Sequence, residues 1–309
     1  MKKFIYILIL IVMLFSITFC KKREKEKKGI YVVATTGLIG DAAKNIGKNK
    51  IQLTVLLHPG IDPHTYELRA SDIAKFKKAD VILYNGLDLE AKMSRVLKQF
   101  KNKIVVPVGE AIPKNKLLAW VEDGKVDGYD PHVWNNAENW IYAVKAARDA
   151  LIKKDKINEK FYTDNCKNYI DRIKKAHEYV KQIIAKIPKD KRVLITAHDA
   201  FSYYGKAYGI KKIYAIQGVS TETEASAANI KKLAELIVKY KVPAIFIEDM
   251  INDKAMKALQ KAAEAEGFTV KIGNVLYSDS LSEKGKGADT YVKFLKHNAD
   301  AIFQGLTGK

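Results

Sequence analysis

The sequence predicts an α/β protein with two parallel-sheet (βα)4 lobes joined by one long rigid helix. Three observations support this fold class. Short β-rich segments alternate with helical patterns from residue 30 onward, they fall into two groups, and one uninterrupted helical segment separates the groups. Strand–helix alternation favours parallel sheets covered by helices on both faces. A chain of 309 residues is long enough for two such lobes.

The predicted strands are β-rich runs of six to ten residues, with helical patterns between them. The first group comprises residues 30–36, 52–57, 80–86 and 103–108. The second group comprises residues 192–198, 212–218, 243–249 and 268–277. These groups predict an N-terminal lobe over residues 30–156 and a C-terminal lobe over residues 188–309.

The segment between the groups, residues 157–187, has apolar side chains at mostly helical spacing. Neither Gly nor Pro interrupts it before Pro188. A helix of about 27 residues would be about 40 Å long at 1.5 Å per residue. We expect a stiff connection between the lobes and a small relative displacement instead of a wide hinge motion.

The N-terminus predicts export. A short positive region precedes residues 4–19, an apolar run that is short for a span of about 20 residues and fits a secretory signal. Cys20 follows directly, so the run resembles a bacterial lipoprotein signal, although Phe19 stands where a small residue is usual. Ordinary secretion and an uncleaved anchor are the alternatives. The prediction is a signal peptide over residues 1–19, lipidation of Cys20 and a charged tether over residues 20–29.

Charge and cysteine content exclude two classes of protein. The formal net charge is +19, but the lysines are spread along the chain and form no basic stripe interleaved with aromatic residues. This pattern favours a solvated surface, and we expect no nucleic-acid partner. The two cysteines are Cys20 and Cys166, so the fold is not a disulfide scaffold despite the predicted export.

Four side chains with metal-binding chemistry lie at or beyond the ends of predicted strands: His64, His132, His198 and Asp279. Ligands of open α/β sheets bind at the carboxyl edge of the strands. Two of the four come from each half, which places a candidate site in the cleft between the lobes. Imidazole and carboxylate suit Zn²⁺ and its neighbours. The spacing is not a contiguous metal motif, and a lone loop histidine is more often structural.

The three other histidines are predicted to lie outside this site. His58 precedes a Pro-Gly turn, and His297 lies between apolar positions of the C-terminal helical segment. His177 is surrounded in sequence by Lys and Glu, which predicts a position on the solvated flank of the long helix.

Six motifs carry a family resemblance: HPGIDPHTYEL (58–68), DPHVW (130–134), TAHDAFSYYGKAYGI (196–210), GVSTETEAS (218–226), VPAIFIED (242–249) and VLYSDSLS (275–282). Together they resemble the solute-binding lipoproteins of zinc and manganese ABC importers, known as cluster A-I or cluster 9. The resemblance implies two lobes joined by a long helix. It also implies one Zn²⁺ or Mn²⁺ ion as transported cargo, with the ligand set His64, His132, His198 and Asp279.

The resemblance further implies a monomer, anchored by lipid on the extracytoplasmic side of the membrane, that delivers metal to a permease with a cytoplasmic ATPase. His198 stands where some family members have Glu. Residues 117–129 are short and lack histidine, which counts against the strictly zinc-specific branch. Supporting residues around the ligands are predicted at Glu222, Glu224 and Glu248. Asp62 and Asp130 precede prolines, for which a turn-forming role is favoured.

Two other functions compete with transport. A metal-dependent hydrolase would use three protein ligands and an open position for water, whereas four ligands fill a tetrahedral shell. The sequence also lacks GxSxG, HExxH and P-loop motifs, so we expect no enzyme activity. A surface adhesin lipoprotein is the second alternative. For the metal binder, neutral imidazoles are required, and we expect affinity to fall below about pH 6.5.

Overall fold

The computed structural model describes residues 29–122 and 124–309. The predicted signal peptide, Cys20 and nearly all of the tether lie outside the described residues. The first lobe contains a four-stranded parallel sheet in the order β2-β1-β3-β4. Its strands are β1 (Ile30–Ala34), β2 (Ile51–Val55), β3 (Val81–Tyr84) and β4 (Ile104–Pro107). Val81 pairs with Val32 on one side and Ile104 on the other, so all carboxyl ends point to one edge.

Helices cover this sheet and begin at capping residues. The Thr36 side chain accepts a hydrogen bond from Ile39 N, and Asn136 Oδ1 accepts one from Glu138 N. The helices of the first lobe are α1 (Gly37–Gly47), α2 (Ala70–Lys78), α3 (Ala91–Leu97) and α4 (Ala137–Lys154). Short 3-10 helices span Lys48–Lys50, Val108–Ala111, Lys114–Lys116, Val133–Asn135, Lys156–Asn158 and Lys189–Lys191.

A β-hairpin that sequence reasoning did not predict follows the first sheet. Its strands β5 (Ala119–Glu122) and β6 (Lys125–Tyr129) pair antiparallel. Sequence patterns did not indicate the hairpin because its valines, Val121 and Val126, are exposed. Its strands therefore lack the alternation of apolar and polar residues expected of a strand that faces a core. The hairpin leads directly into Asp130 and the following candidate ligand.

The long helix α5 (Glu159–Ala185) has 27 residues, as predicted. Its first half packs on the first lobe, where Tyr169 OH donates to Asp41 Oδ2 at 2.7 Å. Its second half packs on later elements, and Tyr179 OH donates to Asp300 Oδ1 at 2.7 Å. The prediction that His177 is solvated is wrong. His177 is buried and bonded to Tyr208 OH, because it shares the helix face of the buried residues Ile173, Val180 and Ile184.

The second lobe also has parallel strands. They are β7 (Val193–His198), β8 (Lys212–Gln217), β9 (Ala244–Ile245) and β10 (Lys271–Ile272). β7 pairs with β8 and β9 with β10, and a 2.9 Å hydrogen bond from Phe246 N to Ile195 O joins the pairs. The last two strands are shorter than predicted, although a parallel bridge between Glu248 and Leu276 continues their direction. The helices here are α6 (Ser202–Tyr208), α7 (Ala227–Tyr240), α8 (Lys254–Ala265) and α9 (Tyr291–Thr307).

One apolar core extends across both lobes. Trp140 of α4, Ile173 of α5 and Phe294 of α9 are fully buried in the same cluster, together with Leu83 of the first sheet and Leu194 of the second. Fully burying a side chain of this size stabilises the fold by roughly 1.5–3 kcal/mol. A shared core of this kind opposes large independent rotations of the lobes. Within the described ranges, no helix combines the length and hydropathy that a membrane crossing requires.

Candidate metal centre

Three loops and the end of β7 meet between the lobes. His64 lies in the loop after β2, and His132 lies between the hairpin and α4. His198 is the last residue of β7, and Asp279 lies in the loop after β10. The parallel topology places His64, His198 and Asp279 at this edge, and the antiparallel hairpin leads His132 to it. All four candidate ligands from the sequence, two from each half of the chain, therefore lie together.

The three imidazoles present their Nε2 atoms to one another and to the carboxylate. His132 Nε2 lies 3.3 Å from the Nε2 atoms of both His64 and His198. Asp279 Oδ2 lies 3.3 Å from His64 Nε2 and 3.4 Å from His198 Nε2, and Oδ1 lies 3.6 Å from His132 Nε2. One ligand atom from each residue lies within 4.8 Å of all the others.

These separations match the chemistry of a four-coordinate divalent ion. Zinc bonds to nitrogen and oxygen are about 2.0–2.1 Å, so neighbouring ligands of a tetrahedral site are about 3.3 Å apart. The Asp279 carboxylate is 1% exposed, and neither oxygen accepts a hydrogen bond from the described residues. Burying a carboxylate without partners is costly unless a cation compensates it. The donor set therefore fits a divalent cation.

The orientation of His132 is fixed by the residue two positions before it. His132 Nδ1 donates to Asp130 Oδ1 at 2.7 Å, and His132 N donates to the same oxygen at 2.9 Å. This contact assigns the Nδ1–H tautomer and directs the Nε2 lone pair into the cluster. Asp130 thus does more than form the turn that the sequence favoured. The Asp-Pro-His spacing is the only hint of this contact in the sequence, and Asp62 shows that the spacing alone does not produce it.

The orientation of His198 is fixed by Glu248, one of the three predicted supporting residues. Glu248 Oε2 accepts from His198 Nδ1 at 2.6 Å, and Oε1 accepts from His198 N at 2.9 Å. The Glu248 side chain is buried beside the end of β7. Carboxylates that hold a ligating histidine in this way raise its basicity and fix its ring.

His64 is held differently from the other two histidines. Within residues 29–122 and 124–309, its Nδ1 atom forms no hydrogen bond. Its backbone N donates instead to Asp62 Oδ1 at 2.9 Å. His64 is 4% exposed, whereas His132 and His198 are fully buried. The loop backbone, not an orienting carboxylate, positions this imidazole.

The structure does not bring Glu222 and Glu224 to the cluster. Both side chains are exposed on the segment between β8 and α7, and Glu222 Oε1 lies 3.4 Å from Lys92 Nζ. This segment crosses the protein surface, so its carboxylates are solvated and cannot support buried ligands. The prediction that Glu222 and Glu224 support the ligands is therefore wrong.

Packing around the cluster restricts the ligands further. The Trp134 ring centroid lies 5.4 Å from that of His132, and Trp134 Nε1 donates to Ser278 O at 2.7 Å, next to Asp279. Tyr203 OH of the second lobe donates to Asp130 O at 3.0 Å. The ligand loops of the two lobes are thus bonded to each other.

The electrostatics of the cluster couple His198 to Asp279. Burial acts to lower the pKa of His198, but the carboxylates of Glu248 and Asp279 outweigh it and raise this pKa well above its usual value. Burial acts to raise the pKa of Asp279, but His198 and His132 outweigh it and hold this pKa well below its usual value. In the metal-free cluster, the negative charge of Asp279 therefore favours the protonated form of His198.

The remaining histidines lie outside the cluster. His58 is exposed, and its carbonyl accepts from Ile61 N in a turn. His297 Nε2 is 2.9 Å from the carbonyl oxygen of Val275. His177 is buried between α5 and α6, and its Nε2 lacks a hydrogen-bond partner among the described residues. None of these three histidines contributes a ligand atom to the cluster.

Proteins of known function are similar to this chain in both sequence and fold. The family model "Zinc-uptake complex component A periplasmic", or ZnuA, matches residues 32–305. The zinc-binding protein TroA of Treponema pallidum is 41% identical over 276 residues, which cover 89% of this chain and 88% of the relative. Its solved structure superposes with a TM-score of 0.87 and 40% identity, covering 90% of this chain and 99% of that chain.

Two further relatives are named for manganese. The manganese-binding lipoprotein MntA of Bacillus subtilis is 38% identical, covering 94% of this chain and 95% of the relative. The manganese ABC transporter substrate-binding lipoprotein PsaA of Streptococcus pneumoniae is 34% identical, covering 99% of each. The chain therefore belongs to the ZnuA family of periplasmic zinc- and manganese-binding solute-binding proteins of ABC transporters.

Proposed function

We propose that this chain binds one Zn²⁺ or Mn²⁺ ion as cargo through Nε2 of His64, His132 and His198 and the carboxylate of Asp279, and presents it to an ABC importer. The observation that carries the proposal is the Asp279 carboxylate. It is buried, its oxygens accept no hydrogen bond that meets the geometric criteria among residues 29–122 and 124–309, and three imidazole Nε2 atoms lie within 3.6 Å of them. A divalent cation at their centre would bond all four.

The surrounding carboxylates support reversible capture. Asp130 and Glu248 each accept an Nδ1–H, so His132 and His198 offer Nε2 lone pairs once the latter loses its proton. Binding exchanges that proton for the ion, and Asp279 supplies a fixed negative charge for the cation. The shared core between the lobes supports release through a local movement of ligand loops in preference to wide lobe opening.

The donor set suits both zinc and manganese, the metals in the names of the relatives. Three imidazoles and one carboxylate suit zinc and also its first-row neighbours. Zn²⁺ should bind more tightly than Mn²⁺ in a test tube, following the general order of stability for divalent ions. We infer that the free concentration of each ion outside the cell decides which metal is carried.

Transport fits the site better than catalysis does. Members of the family are transporter solute-binding proteins. The four side chains fill a tetrahedral shell, whereas a catalytic zinc keeps a position for water. We infer that the chain has no enzymatic turnover, and that an adhesin role, if present, is additional to metal binding.

The proposed molecular organisation follows the sequence. Residues 1–19 are a signal peptide, Cys20 is lipidated, and residues 20–29 tether the protein to the extracytoplasmic face of the membrane. Residues 30–156 and 188–309 form lobes joined by residues 157–187. The monomer delivers its ion to a cognate permease that is driven by a cytoplasmic ATPase. The names of MntA and PsaA as lipoproteins support the anchor.

Metal content tests this function. The fragment 21–309 would be equilibrated with buffered Zn²⁺, Mn²⁺ and Fe²⁺, and bound metal measured by mass spectrometry beside a His132→Ala control. We expect about one equivalent of one metal, lost in the control. No stoichiometric metal, or equal metal in the control, would contradict the proposal and reopen the adhesin alternative.

A further inference from the structure

The loop that carries His64 is fastened to the opposite lobe by polar contacts. Thr221 Oγ1, in the segment after β8, donates to Asp62 Oδ2 at 2.5 Å. Gly60 N donates to Ser280 Oγ at 3.3 Å. Lys92 Nζ lies between Glu67 and Glu222, at 3.8 and 3.4 Å. These contacts close one side of the metal cluster.

Asp62 links this closure to a metal ligand. Its Oδ2 atom receives the Thr221 hydroxyl, and its Oδ1 atom receives the backbone N–H of His64 at 2.9 Å. One carboxylate therefore connects the second lobe to the backbone of a ligating residue. The Lys92 contacts are between exposed side chains and contribute little, since solvent screens them. The Thr221 contact is short and goes to a charged acceptor, which makes it the strongest of the three.

His64 is also the ligand with the least support of its own. Asp130 and Glu248 hold the rings of the other two histidines, whereas His64 Nδ1 has no such partner among the described residues. The residues just before it, from His58 to Ile61, are exposed, and Ile61 is 40% exposed. The His64 loop is therefore the side of the cluster nearest to solvent.

We propose that Thr221 and Asp62 are positioning residues that retain the cargo: their contact across the cleft holds His64 on the ion and sets the rate of metal exchange. The inference rests on the proposed function. When the contact breaks, the loop releases His64 while His132, His198 and Asp279 stay in place. Metal then enters or leaves on the His64 side, and a partner that displaces the segment carrying Thr221 would trigger release.

The test compares three variants of the full chain. Thr221→Val removes the hydroxyl at nearly constant shape, and Thr221→Ser keeps the donor. Thr223→Val removes a neighbouring exposed hydroxyl that forms no hydrogen bond among the described residues. Each protein is loaded with Zn²⁺ and mixed with excess chelator, and the dissociation rate is followed by stopped-flow absorbance. Stoichiometry and the melting temperature of the apo protein are measured in parallel.

We expect Thr221→Val to release zinc about tenfold faster, because a hydrogen bond to a charged group is lost. Thr221→Ser and Thr223→Val should release it at the rate of the unmodified chain. Equal rates for Thr221→Val and Thr223→Val would overturn the inference, as would a lower melting temperature of Thr221→Val with an unchanged rate. If all variants bind one zinc, the proposed function stands in either case; an unmodified chain without stoichiometric zinc overturns both.

Discussion

The two lobes hold their buried histidines by the same device but build it differently. In the first lobe, the carboxylate of Asp130 is two residues from His132, within one Asp-Pro-His turn. In the second lobe, Glu248 is 50 residues from His198 and reaches it across two neighbouring strands. The first pair is local and the second depends on the tertiary fold.

The two pairs also use their oxygens differently. Both hydrogen bonds from His132 go to the single atom Asp130 Oδ1, whereas those from His198 are divided between the two oxygens of Glu248. An amide oxygen can replace one carboxylate oxygen but not two. The comparison therefore predicts that the lobes respond unequally to the same chemical change.

The largest effect is expected at the residue that both lobes face. Asp279→Ala removes the only anionic ligand, so Zn²⁺ affinity should fall by more than about hundredfold, beyond the roughly 10–100-fold lost with an outer-shell partner. Competition against a chelator of known affinity measures it. The exposed Asp127→Ala change is the control, and a similar affinity for both variants would contradict the ligand role of Asp279.

The next effect distinguishes the lobes directly. Glu248→Gln places an amide NH2 against one of two donors from His198, so we expect a loss of affinity near the upper end of about 10–100-fold. Asp130→Asn can retain its oxygen toward His132, so its loss should lie near the lower end. Calorimetric titration with Zn²⁺ measures both. Equal losses would show that the division of hydrogen bonds has no consequence.

A smaller, pH-dependent effect is expected from the second lobe. Burial acts to lower the pKa of His198, but Glu248 and Asp279 raise it, so the protonated form of this histidine is favoured in the metal-free protein. Metal binds the deprotonated ring, so affinity should rise with pH through neutrality. On acidification it should begin to fall at a pH higher than the value of about 6.5 expected for a free imidazole.

Calorimetry in buffers of different ionisation enthalpy counts the protons released. We expect His198 to release a proton when the ion binds, and the measured release to be smaller in Glu248→Gln, where a neutral side chain no longer raises the pKa of His198. Unchanged release in that variant would contradict the assigned cause of the raised pKa.

The smallest effect is expected at a buried histidine outside the cluster. His177 bonds only to Tyr208 among the described residues and lies away from both carboxylate–histidine pairs. His177→Phe should leave zinc affinity within about twofold of the unmodified chain, because distant sites act independently. The same chelator competition measures the affinity. A larger loss would show that metal binding depends on this buried histidine although it lies outside the cluster.

Local pattern predicted the parallel strands and the long helix, and it placed four possible ligands at or beyond strand ends. The family resemblance, not the pattern, implied that these four side chains form one ligand set. His198 ends an apolar strand and His64 follows one, so parallel topology sends both to the same edge. The sequence favoured a turn-forming role for Asp130, and the Asp-Pro-His spacing alone does not reveal its contact with the imidazole. Asp62 has the same spacing to His64 but accepts only from the backbone N of that residue. The β-hairpin was missed because its exposed valines produce no core-facing alternation.

Other features depend on tertiary contacts that sequence spacing does not encode. Glu222, Glu224 and Glu248 all follow strands, but only Glu248 lies beside the end of β7, because β9 neighbours β7. His177 was assigned to the surface from its charged neighbours in sequence, whereas helical periodicity places it with Ile173 and Val180. The contact between Thr221 and Asp62 joins residues 159 positions apart.

The most direct test of the central claim is to locate the ion itself. Crystals of the chain grown with Zn²⁺ or Mn²⁺ would be measured at the absorption edge of that metal. We expect one anomalous peak between the lobes, about 2.0–2.2 Å from Nε2 of His64, His132 and His198 and from an Asp279 oxygen. A peak at other residues, or none at stoichiometric metal, would contradict the account.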